Sequence, residues 1–364
     1  MSSALSIGIG GRTVGAGAPP FVIAELGVNH NGDPTLAEAL VDAAAGTGAD
    51  AVKLQTFHSE RLALPAAPQA AYQRDHAAAA SQLEMLRSLE LPDDRIGPLR
   101  ERALSHGMEL LSSPFDVESL AILVDVGVPA IKIGSGDLTN LPLLRAAAAT
   151  GRPLIVSTGM ATIEEIDVAV GDLRRHGDPP VALLHCVSAY PAAPDLVDLR
   201  AMATMAERYR VPVGFSDHTT GIGVAVGAVA LGAAIVEKHL TLDRSMPGPD
   251  HAASLEPEQF GRMVEAIREA HAALGSGEKA PRAEEDGVRA VARRSLVVAR
   301  PVAARQRLTE GDLTAMRPES GISPMLIDTV VGRSAAVDLE PGRLLAPTDV
   351  DPPLENDLSP GGDA

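Results

Sequence analysis

The stretch VGFSDHTTGIGVAVGAVALGAAIVEKH, residues 213–239, contains the pattern that decides the fold of this chain. One apolar run ends in GFSDHT (214–219), a helical segment follows, and a second apolar run ends in VEKHLT (236–241). Such runs are typical of buried parallel strands. We therefore expect His218 and His239 to lie at the ends of neighbouring strands and to share one divalent metal ion. Two imidazoles leave coordination positions open, which suits Mn²⁺, Mg²⁺, Co²⁺ or Zn²⁺ acting as a Lewis acid.

The same alternation of apolar runs and helical segments extends through most of the chain. Amphipathic segments such as 34–46 and 163–175 lie between the runs. The eight predicted strands are 21–26, 51–56, 108–114, 130–135, 153–158, 181–186, 211–217 and 234–241. Eight strand–helix units over about 250 residues predict an α/β fold, a (β/α)₈ TIM barrel. A doubly wound open sheet is disfavoured, because no G-x-G-x-x-G turn follows the first strand.

The rest of the chain is predicted from its composition and turn residues. We assign an N-terminal hairpin to residues 1–20 and the barrel to residues 21–275. A polar linker (276–292), a small and mainly β domain (293–351) and a disordered tail (352–364) follow. Residues 58–90 form an insertion between the second and third strands. Because insertions after a barrel strand lie on the catalytic face, we expect this lid segment to cover the site or select the substrate. A tolerated surface insertion is the alternative.

Composition excludes several classes of protein. The formal net charge of −17 argues against nucleic acid as a partner, because nucleic acid requires clustered lysine and arginine. The single cysteine, Cys186, excludes a disulfide framework and a cysteine-based zinc site. The first ten residues lack the features of a signal peptide, and no apolar run approaches the roughly 20 residues that span a bilayer. We therefore expect a cytoplasmic protein without a membrane segment.

Polar and charged residues gather at the carboxyl ends of the predicted strands, which form the catalytic face of a barrel. In chain order they are Glu25, Lys53, Gln55, Ser113, Lys132, Ser135, Ser157, Ser188, Tyr190, Ser216, His218, Glu237 and His239. The opposite strand ends carry no comparable polar set. Since a charged residue inside a barrel is costly unless it is paired or used, this asymmetry predicts a functional site.

Two lysines lie inside apolar runs where a structural role would favour valine or isoleucine. They are Lys53 in AVKLQT and Lys132 in AIKIGS. Two ammonium groups beside several hydroxyls predict a site for a small, multiply charged anion that contains phosphate. One alternative is that Glu25 and Glu237 simply neutralise the lysines. Another is that one lysine forms a Schiff base, as in class I aldolases.

These motifs resemble the N-acetylneuraminate (sialic acid) synthase family, which includes the legionaminic and pseudaminic acid synthases. The matching phrases are FVIAELGVNHNGD (21–33), AVKLQTF (51–57), LSSPFD (111–116), IKIGSGDLTNLPLL (131–144), STGMATIEEI (157–166), LLHCVSAYP (183–191), GFSDHT (214–219), EKHLTLDRSMPGPDH (237–251) and MRPESGIS (316–323). They keep their order and cover about residues 20–350. The C-terminal module resembles the antifreeze-like (SAF) domain of these enzymes.

The resemblance implies a role for each residue at a matching position. Phosphoenolpyruvate would be bound by Lys53, Ser113, Lys132, Ser135, Ser157, Ser188 and Ser216. His218 and His239 would hold the metal ion, with Mn²⁺ expected first and Mg²⁺ or Co²⁺ as alternatives. Glu25 would act on the reacting groups, above all on the water that attacks C2 of phosphoenolpyruvate. The N-acetylated sugar would be held by Gln55, Asp137, Tyr190, Asp250 and Arg317.

The resemblance also implies an assembly and a reaction. Arg317 would reach from the SAF domain of one subunit into the barrel of the other, in a domain-swapped homodimer. The reaction would be a metal-dependent condensation of phosphoenolpyruvate with N-acetylmannosamine or a related 2-acetamido sugar, giving a nonulosonic acid and phosphate. A legionaminic acid synthase that uses 2,4-diacetamido-2,4,6-trideoxymannose is the alternative, suggested by the lid segment and by aspartate rather than glutamate at 137. More distant alternatives are a Schiff-base lyase of the same acids and a non-enzymatic sugar- or ice-binding protein.

Overall fold

The computed structural model describes residues 5–15, 17–70 and 81–354 of the chain. Contacts divide the chain into two compact units, Met1–Ser276 and Gly277–Ala364. The predicted disordered tail lies outside the described residues from position 355 onward, as does part of the lid segment, residues 71–80.

The strands of the first unit form a hairpin and a closed barrel. They are β1 (Ser6–Ile9), β2 (Arg12–Gly15), β3 (Phe21–Gly27), β4 (Ala51–Thr56), β5 (Glu109–Pro114), β6 (Ile131–Ile133), β7 (Leu154–Ser157), β8 (Val181–Cys186), β9 (Val213–Asp217) and β10 (Ile235–His239). Within the described residues, eight parallel strands close into a barrel, with β10 paired to both β9 and β3. The predicted TIM barrel is therefore confirmed.

Helices follow the barrel strands and surround them. They are α1 (Pro34–Ala45), α2 (Ser59–Leu62), α3 (Gln82–Leu89), α4 (Ile96–Ser105), α5 (Val117–Val126), α6 (Leu141–Ala149), α7 (Ile163–Arg175), α8 (Ala201–Tyr209), α9 (Gly223–Ala230) and α10 (Pro257–Leu274). Local sequence fixes several starts. The Asp33 side chain accepts from the Thr35 N–H at α1, and Thr162 and Glu165 form a capping box at α7. These caps satisfy backbone donors that have no partner within the helix.

The hairpin closes the amino-terminal end of the barrel. Ile7, Ile9 and Val14 pack with apolar side chains from inside the barrel, among them Ile23 and Leu111. Apolar burial of this kind drives folding, and it leaves the opposite end of the barrel for the polar residues.

Asp50 is a buried charge before the start of β4, near the hairpin. It accepts from the Val22 N–H at 2.8 Å and from Arg268 Nη2 at 2.6 Å. Arg12 of the hairpin also contacts it. Asp50 is thus a single buried charge that joins the hairpin to the last barrel helix.

The second unit contains short strands around a small aliphatic core. Its elements are α11 (Asp286–Ala292), β11 (Ser295–Val298), β12 (Leu313–Met316), α12 (Ile327–Val330), β13 (Ser334–Ala335) and β14 (Val350–Asp351). The pairs β11–β12 and β13–β14 are antiparallel. Helix α11 lies inside segment 276–292, which the sequence predicted to be a linker. None of the helices in the described parts of the chain is both long enough and apolar enough to cross a membrane.

Candidate active site

A cavity of about 490 Å³ lies at the carboxyl ends of the barrel strands. It brings together most of the side chains that the sequence predicted for the site. They are Glu25, Lys53, Gln55, Ser113, Lys132, Ser135, Ser157, Ser188, Tyr190, Ser216, His218, Glu237, His239 and Asp250. The polar strand ends therefore line one space.

Strand alternation explains why these side chains meet. Successive side chains of a strand point to opposite faces, so every second residue of a barrel strand reaches the interior. On β10, Glu237 and His239 line the cavity, and Lys238 between them does not. Register then sets the neighbours: Glu237 lies beside Ser216 of β9, and His239 lies beside Glu25 of β3.

Four charged groups form the floor of the cavity. Lys53 Nζ lies 2.5 Å from Glu25 Oε2 and 3.7 Å from Glu237 Oε2. Lys132 Nζ donates to Glu237 Oε1 at 3.2 Å. All four are buried, so the two ammonium groups and two carboxylates compensate each other's cost of burial. We call Glu25, Lys53, Lys132 and Glu237 the charged floor.

The two carboxyl groups of the charged floor differ in how readily they ionise. Burial raises the pKa of Glu25 to about 7, although Lys53 opposes the shift. Burial also disfavours the charged form of Glu237, but Lys132 and Lys53 outweigh it and lower its pKa to about 2. Glu237 therefore stays ionised, whereas Glu25 can gain or lose a proton near neutral pH.

Hydroxyl groups surround the charged floor. Lys53 Nζ donates to Ser113 Oγ at 3.3 Å, and Ser216 Oγ donates to Glu237 Oε1 at 3.0 Å. Ser157 Oγ is buried without a hydrogen-bond partner among the described residues. Because a buried polar group without a partner is costly, Ser157 offers a hydrogen bond to a ligand.

Gly159 allows two further serines to reach the cavity. Its N–H donates to Ser135 Oγ at 3.0 Å. A Cβ at this position would lie 2.4 Å from Ser188 Oγ and 2.9 Å from both Ser135 Oγ and Cys186 Sγ. A Cβ at these distances would force the neighbouring side chains to shift, so the glycine of the STGM phrase gives the two serine hydroxyls room to approach.

His218 and His239 lie together beside the charged floor. Their ring centroids are 5.7 Å apart, and Tyr190 stacks at 4.2 Å from His218. His218 Nδ1 lies 2.7 Å from the Val187 carbonyl oxygen, which assigns the proton to Nδ1 and leaves the Nε2 lone pair free to bind a metal. His239 Nδ1 is buried without a hydrogen-bond partner in the described part of the chain.

The protonation state of these histidines also suits a metal ion. Burial lowers the pKa of His218, and burial together with the neighbouring His218 lowers the pKa of His239 well below its ordinary value. Both rings are therefore neutral, which is the form that binds a metal. Within residues 5–15, 17–70 and 81–354, no three or more His, Cys, Asp or Glu side chains group as a metal site. Two neutral imidazoles leave coordination positions open, so they fit an ion whose remaining ligands are water or substrate.

The sequence did not reveal an ion pair behind the histidines. Lys238 Nζ donates to Asp217 Oδ2 at 2.7 Å and to the Thr219 carbonyl oxygen at 2.6 Å, and both charged side chains are fully buried. Asp217 and Lys238 are also register partners. The signal that could have predicted this pair is the opposite charges at the outward positions beside Ser216 and Glu237. The pair joins the two strand ends that carry His218 and His239.

The sequence also did not reveal that one side of the cavity is apolar. The residues are Val28, Met85, Leu86, Leu89 and Phe115, which we call the apolar wall. Three of them belong to α3 in the lid segment, and Ala70 and Gln82 of the same segment also line the cavity. The described parts of the lid segment therefore border the site, as its position after β4 predicted.

Asp137, a predicted sugar ligand, is not among the described first-unit residues that line the cavity. Asp137 follows Ser135 in a short 3₁₀ helix and accepts from Asn140 Nδ2 at 3.0 Å. Arg317 belongs to the second unit, where its Nε donates to the Ala292 carbonyl oxygen at 2.8 Å. Their roles in sugar binding stay predictions.

Comparison with known proteins identifies the family. The NeuB family model matches residues 40–279, and the SAF domain model matches residues 293–351. The chain is 44% identical over 330 residues to the N,N'-diacetyllegionaminic acid synthase of Legionella pneumophila, covering 89% of this chain and 93% of that protein. It is 34% identical to the N-acetylneuraminate-9-phosphate synthase of Mus musculus, covering 91% and 92% of the two chains.

A solved structure agrees with this assignment. The N-acetylneuraminic acid (sialic acid) synthetase of Leptospira borgpetersenii superposes with a TM-score of 0.71 at 35% identity, covering 78% of this chain and 95% of that one. With named synthases as relatives, the alternative of a non-enzymatic sugar- or ice-binding protein is not supported. This chain belongs to the NeuB family and is a synthase of the sialic, legionaminic and pseudaminic acid group, a transferase that forms a C–C bond and is composed of a TIM barrel and a SAF domain.

Proposed function

We propose that this enzyme condenses phosphoenolpyruvate with 2,4-diacetamido-2,4,6-trideoxymannose, giving a legionaminic-type nonulosonic acid and phosphate. The observation that carries the reaction is one cavity containing two buried ammonium groups, several hydroxyls and two neutral histidines. The acceptor is supported by the higher identity to the Legionella synthase, 44%, than to the mouse N-acetylneuraminate-9-phosphate synthase, 34%. Of the two acceptors considered from the sequence, we therefore propose the diacetamido sugar, which was the alternative there, rather than N-acetylmannosamine.

Phosphoenolpyruvate would occupy the charged floor. Its phosphate and carboxylate would take the ammonium groups of Lys53 and Lys132 as partners, together with the hydroxyls around them. Ser157 supports this placement, because its buried Oγ has no partner among the described residues. The alternative considered from the sequence is that Glu25 and Glu237 neutralise the lysines. The ion pairs of the structure without a ligand have this form.

Glu25 would act on the water that completes the reaction. C3 of phosphoenolpyruvate forms a bond to the aldehyde carbon of the sugar, and positive charge develops at C2. The aldehyde oxygen takes up a proton and becomes a hydroxyl. Water adds at C2 and loses one proton to Glu25; the C–O bond to phosphate then breaks as the second proton of the added water leaves and C2 becomes a carbonyl carbon. A carboxylate whose pKa lies near 7 suits a general base at neutral pH, and Glu25 has this property in the charged floor.

His218 and His239 would hold a divalent metal ion, which we propose to be Mn²⁺, with Mg²⁺ or Co²⁺ as alternatives. When bound, such an ion supplies a Lewis acid that polarises the aldehyde of the open-chain sugar. Gln55, Tyr190 and Asp250 line the cavity and would orient that sugar. We also propose that Arg317 contributes to the barrel of a partner subunit, which requires a domain-swapped homodimer.

Phosphate release from phosphoenolpyruvate with different sugars tests the proposed function. With Mn²⁺ present, we expect release only when a sugar is added, and kcat/KM should be higher with 2,4-diacetamido-2,4,6-trideoxymannose than with N-acetylmannosamine or its 6-phosphate. A higher value with N-acetylmannosamine would contradict the acceptor. No release with any sugar would contradict the reaction, and borohydride trapping of pyruvate on a lysine would instead support a Schiff-base lyase.

A further inference from the structure

The apolar wall of the cavity has no role in the chemistry of the charged floor. Val28 follows β3, Phe115 follows β5, and Met85, Leu86 and Leu89 come from α3, which lies in the lid segment between β4 and β5. The wall therefore occupies the β3–β5 side of the cavity. The histidines lie at the ends of β9 and β10, and β3 separates β10 from β4 in the closed barrel. Helix α3 therefore borders a different part of the cavity from the histidines, where the reacting carbon of the acceptor would lie.

The apolar wall is held in place from behind. Met85 and Leu89 are buried against Phe57 and Leu62, which do not line the cavity. The rings of Phe57 and Phe115 meet edge to face, with centroids 6.0 Å apart. Packing from behind gives the wall a fixed shape, which a surface that discriminates between ligands requires.

Hydrogen bonds also fix the two described ends of the lid segment. Ser59 donates to Glu90 Oε2 through its N–H at 2.9 Å and through its hydroxyl at 2.5 Å. Arg87 Nε donates to Glu60 Oε1 at 2.7 Å. Helices α2 and α3 are thus tied together, and α3 presents its apolar side chains to the cavity as one surface.

We propose that Met85, Leu86 and Leu89 select acceptor sugars that lack an oxygen at C6. This inference rests on the proposed function, in which the aldehyde carbon C1 lies at the histidines. C6 is the carbon farthest along the chain from C1, and in a 6-deoxy sugar it is a methyl group. The wall buries that methyl group, and a hydroxyl or phosphate at C6 meets the same apolar surface.

The size of the discrimination follows from the cost of burying a polar group. Burying a hydroxyl without a hydrogen-bond partner is costly, and apolar pockets reject an added hydroxyl by about 10²-fold at most. We therefore expect a preference of about 10–10²-fold in kcat/KM for the 6-deoxy sugar. A sugar with a 6-phosphate should have a still lower kcat/KM. The cations among the described lining residues are Lys53 and Lys132, and both bind phosphoenolpyruvate.

The test uses two acceptors that differ only at C6, N-acetylmannosamine and its 6-deoxy derivative. Their kcat/KM values are compared in the unmodified enzyme, in Leu86→Asn and in Leu62→Asn. Both leucines are half-buried in the same apolar cluster, but Leu86 lines the cavity and Leu62 does not. Leu62→Asn is therefore a matched control for loss of packing.

We expect Leu86→Asn to reduce the preference for the 6-deoxy sugar by about tenfold, because the amide can bond the 6-hydroxyl. Leu62→Asn places no amide in the cavity, so it should change the preference much less than Leu86→Asn does. Equal kcat/KM for both sugars in the unmodified enzyme would overturn the inference while leaving the condensation intact. An unchanged preference in Leu86→Asn would also overturn it. Absence of phosphate release with every sugar would instead mark failure of the proposed function.

Discussion

Replacing His218 or His239 with alanine should lower turnover by about 10³-fold or more, because a Lewis acid at a developing charge contributes several kcal/mol. Both rings are buried and neutral at the end of adjacent strands, and each offers a ring nitrogen to a ligand. The measurements are sugar-dependent phosphate release and the amount of Mn²⁺ bound per chain, with free Mn²⁺ followed by electron paramagnetic resonance. Bound Mn²⁺ should be lost in each variant.

His185→Ala provides the matched control for these variants. His185 also lies on a barrel strand, β8, but it does not line the active-site cavity, and its Nε2 contacts the Val197 carbonyl oxygen. We expect this variant to bind Mn²⁺ and to turn over. Full Mn²⁺ binding and full turnover in both His218→Ala and His239→Ala would disprove the shared metal site.

Glu25→Gln should lower kcat/KM by about 10²–10⁴-fold, the usual contribution of a general base. The unmodified enzyme should lose activity as the pH falls below about 7, because burial raises the pKa of Glu25 to about 7 and protonation removes the base. In Glu25→Gln this dependence should disappear between about pH 6.5 and 8. The lower pH limit of this range keeps the titration of Asp250 outside it, because burial raises the pKa of Asp250 to about 6.

Glu237→Gln separates the loss of a charge from the loss of the base. Glu237 has a pKa of about 2 and does not titrate in this range, but its charge is one of the causes that raise the pKa of Glu25. The acidic fall in activity should therefore persist in Glu237→Gln and move to lower pH. Persistence of the fall near pH 7 in Glu25→Gln would show that another group carries it.

The barrel could be predicted because its signals are local. Parallel strands covered on both faces require apolar runs, and β4 and β8 have the bounds that AVKLQT and VALLHC predicted. The site could be predicted because carboxyl ends of barrel strands converge, so Lys53, Lys132 and the two histidines had to lie near one another. Polar residues in apolar runs gave the signal.

Other features depend on contacts between segments distant in the sequence, which single positions do not specify. The apolar wall combines Val28 and Phe115 with side chains of α3, and nothing local predicts which face of α3 turns to the cavity. Asp50 is buried because Arg12 and Arg268, from segments near opposite ends of the first unit, converge on it. The neutral state of His218 and His239 results from burial, which only the packed structure sets.

The isotopic content of the released phosphate tests the proposed condensation most directly. Phosphoenolpyruvate labelled with ¹⁸O in the oxygen that bridges C2 and phosphorus is incubated with enzyme, Mn²⁺ and 2,4-diacetamido-2,4,6-trideoxymannose. Since water adds at C2 and the C–O bond breaks, we predict phosphate that retains one ¹⁸O, formed together with an equal amount of nonulosonic acid. Unlabelled phosphate, or phosphate formed without the sugar, would contradict the proposed function.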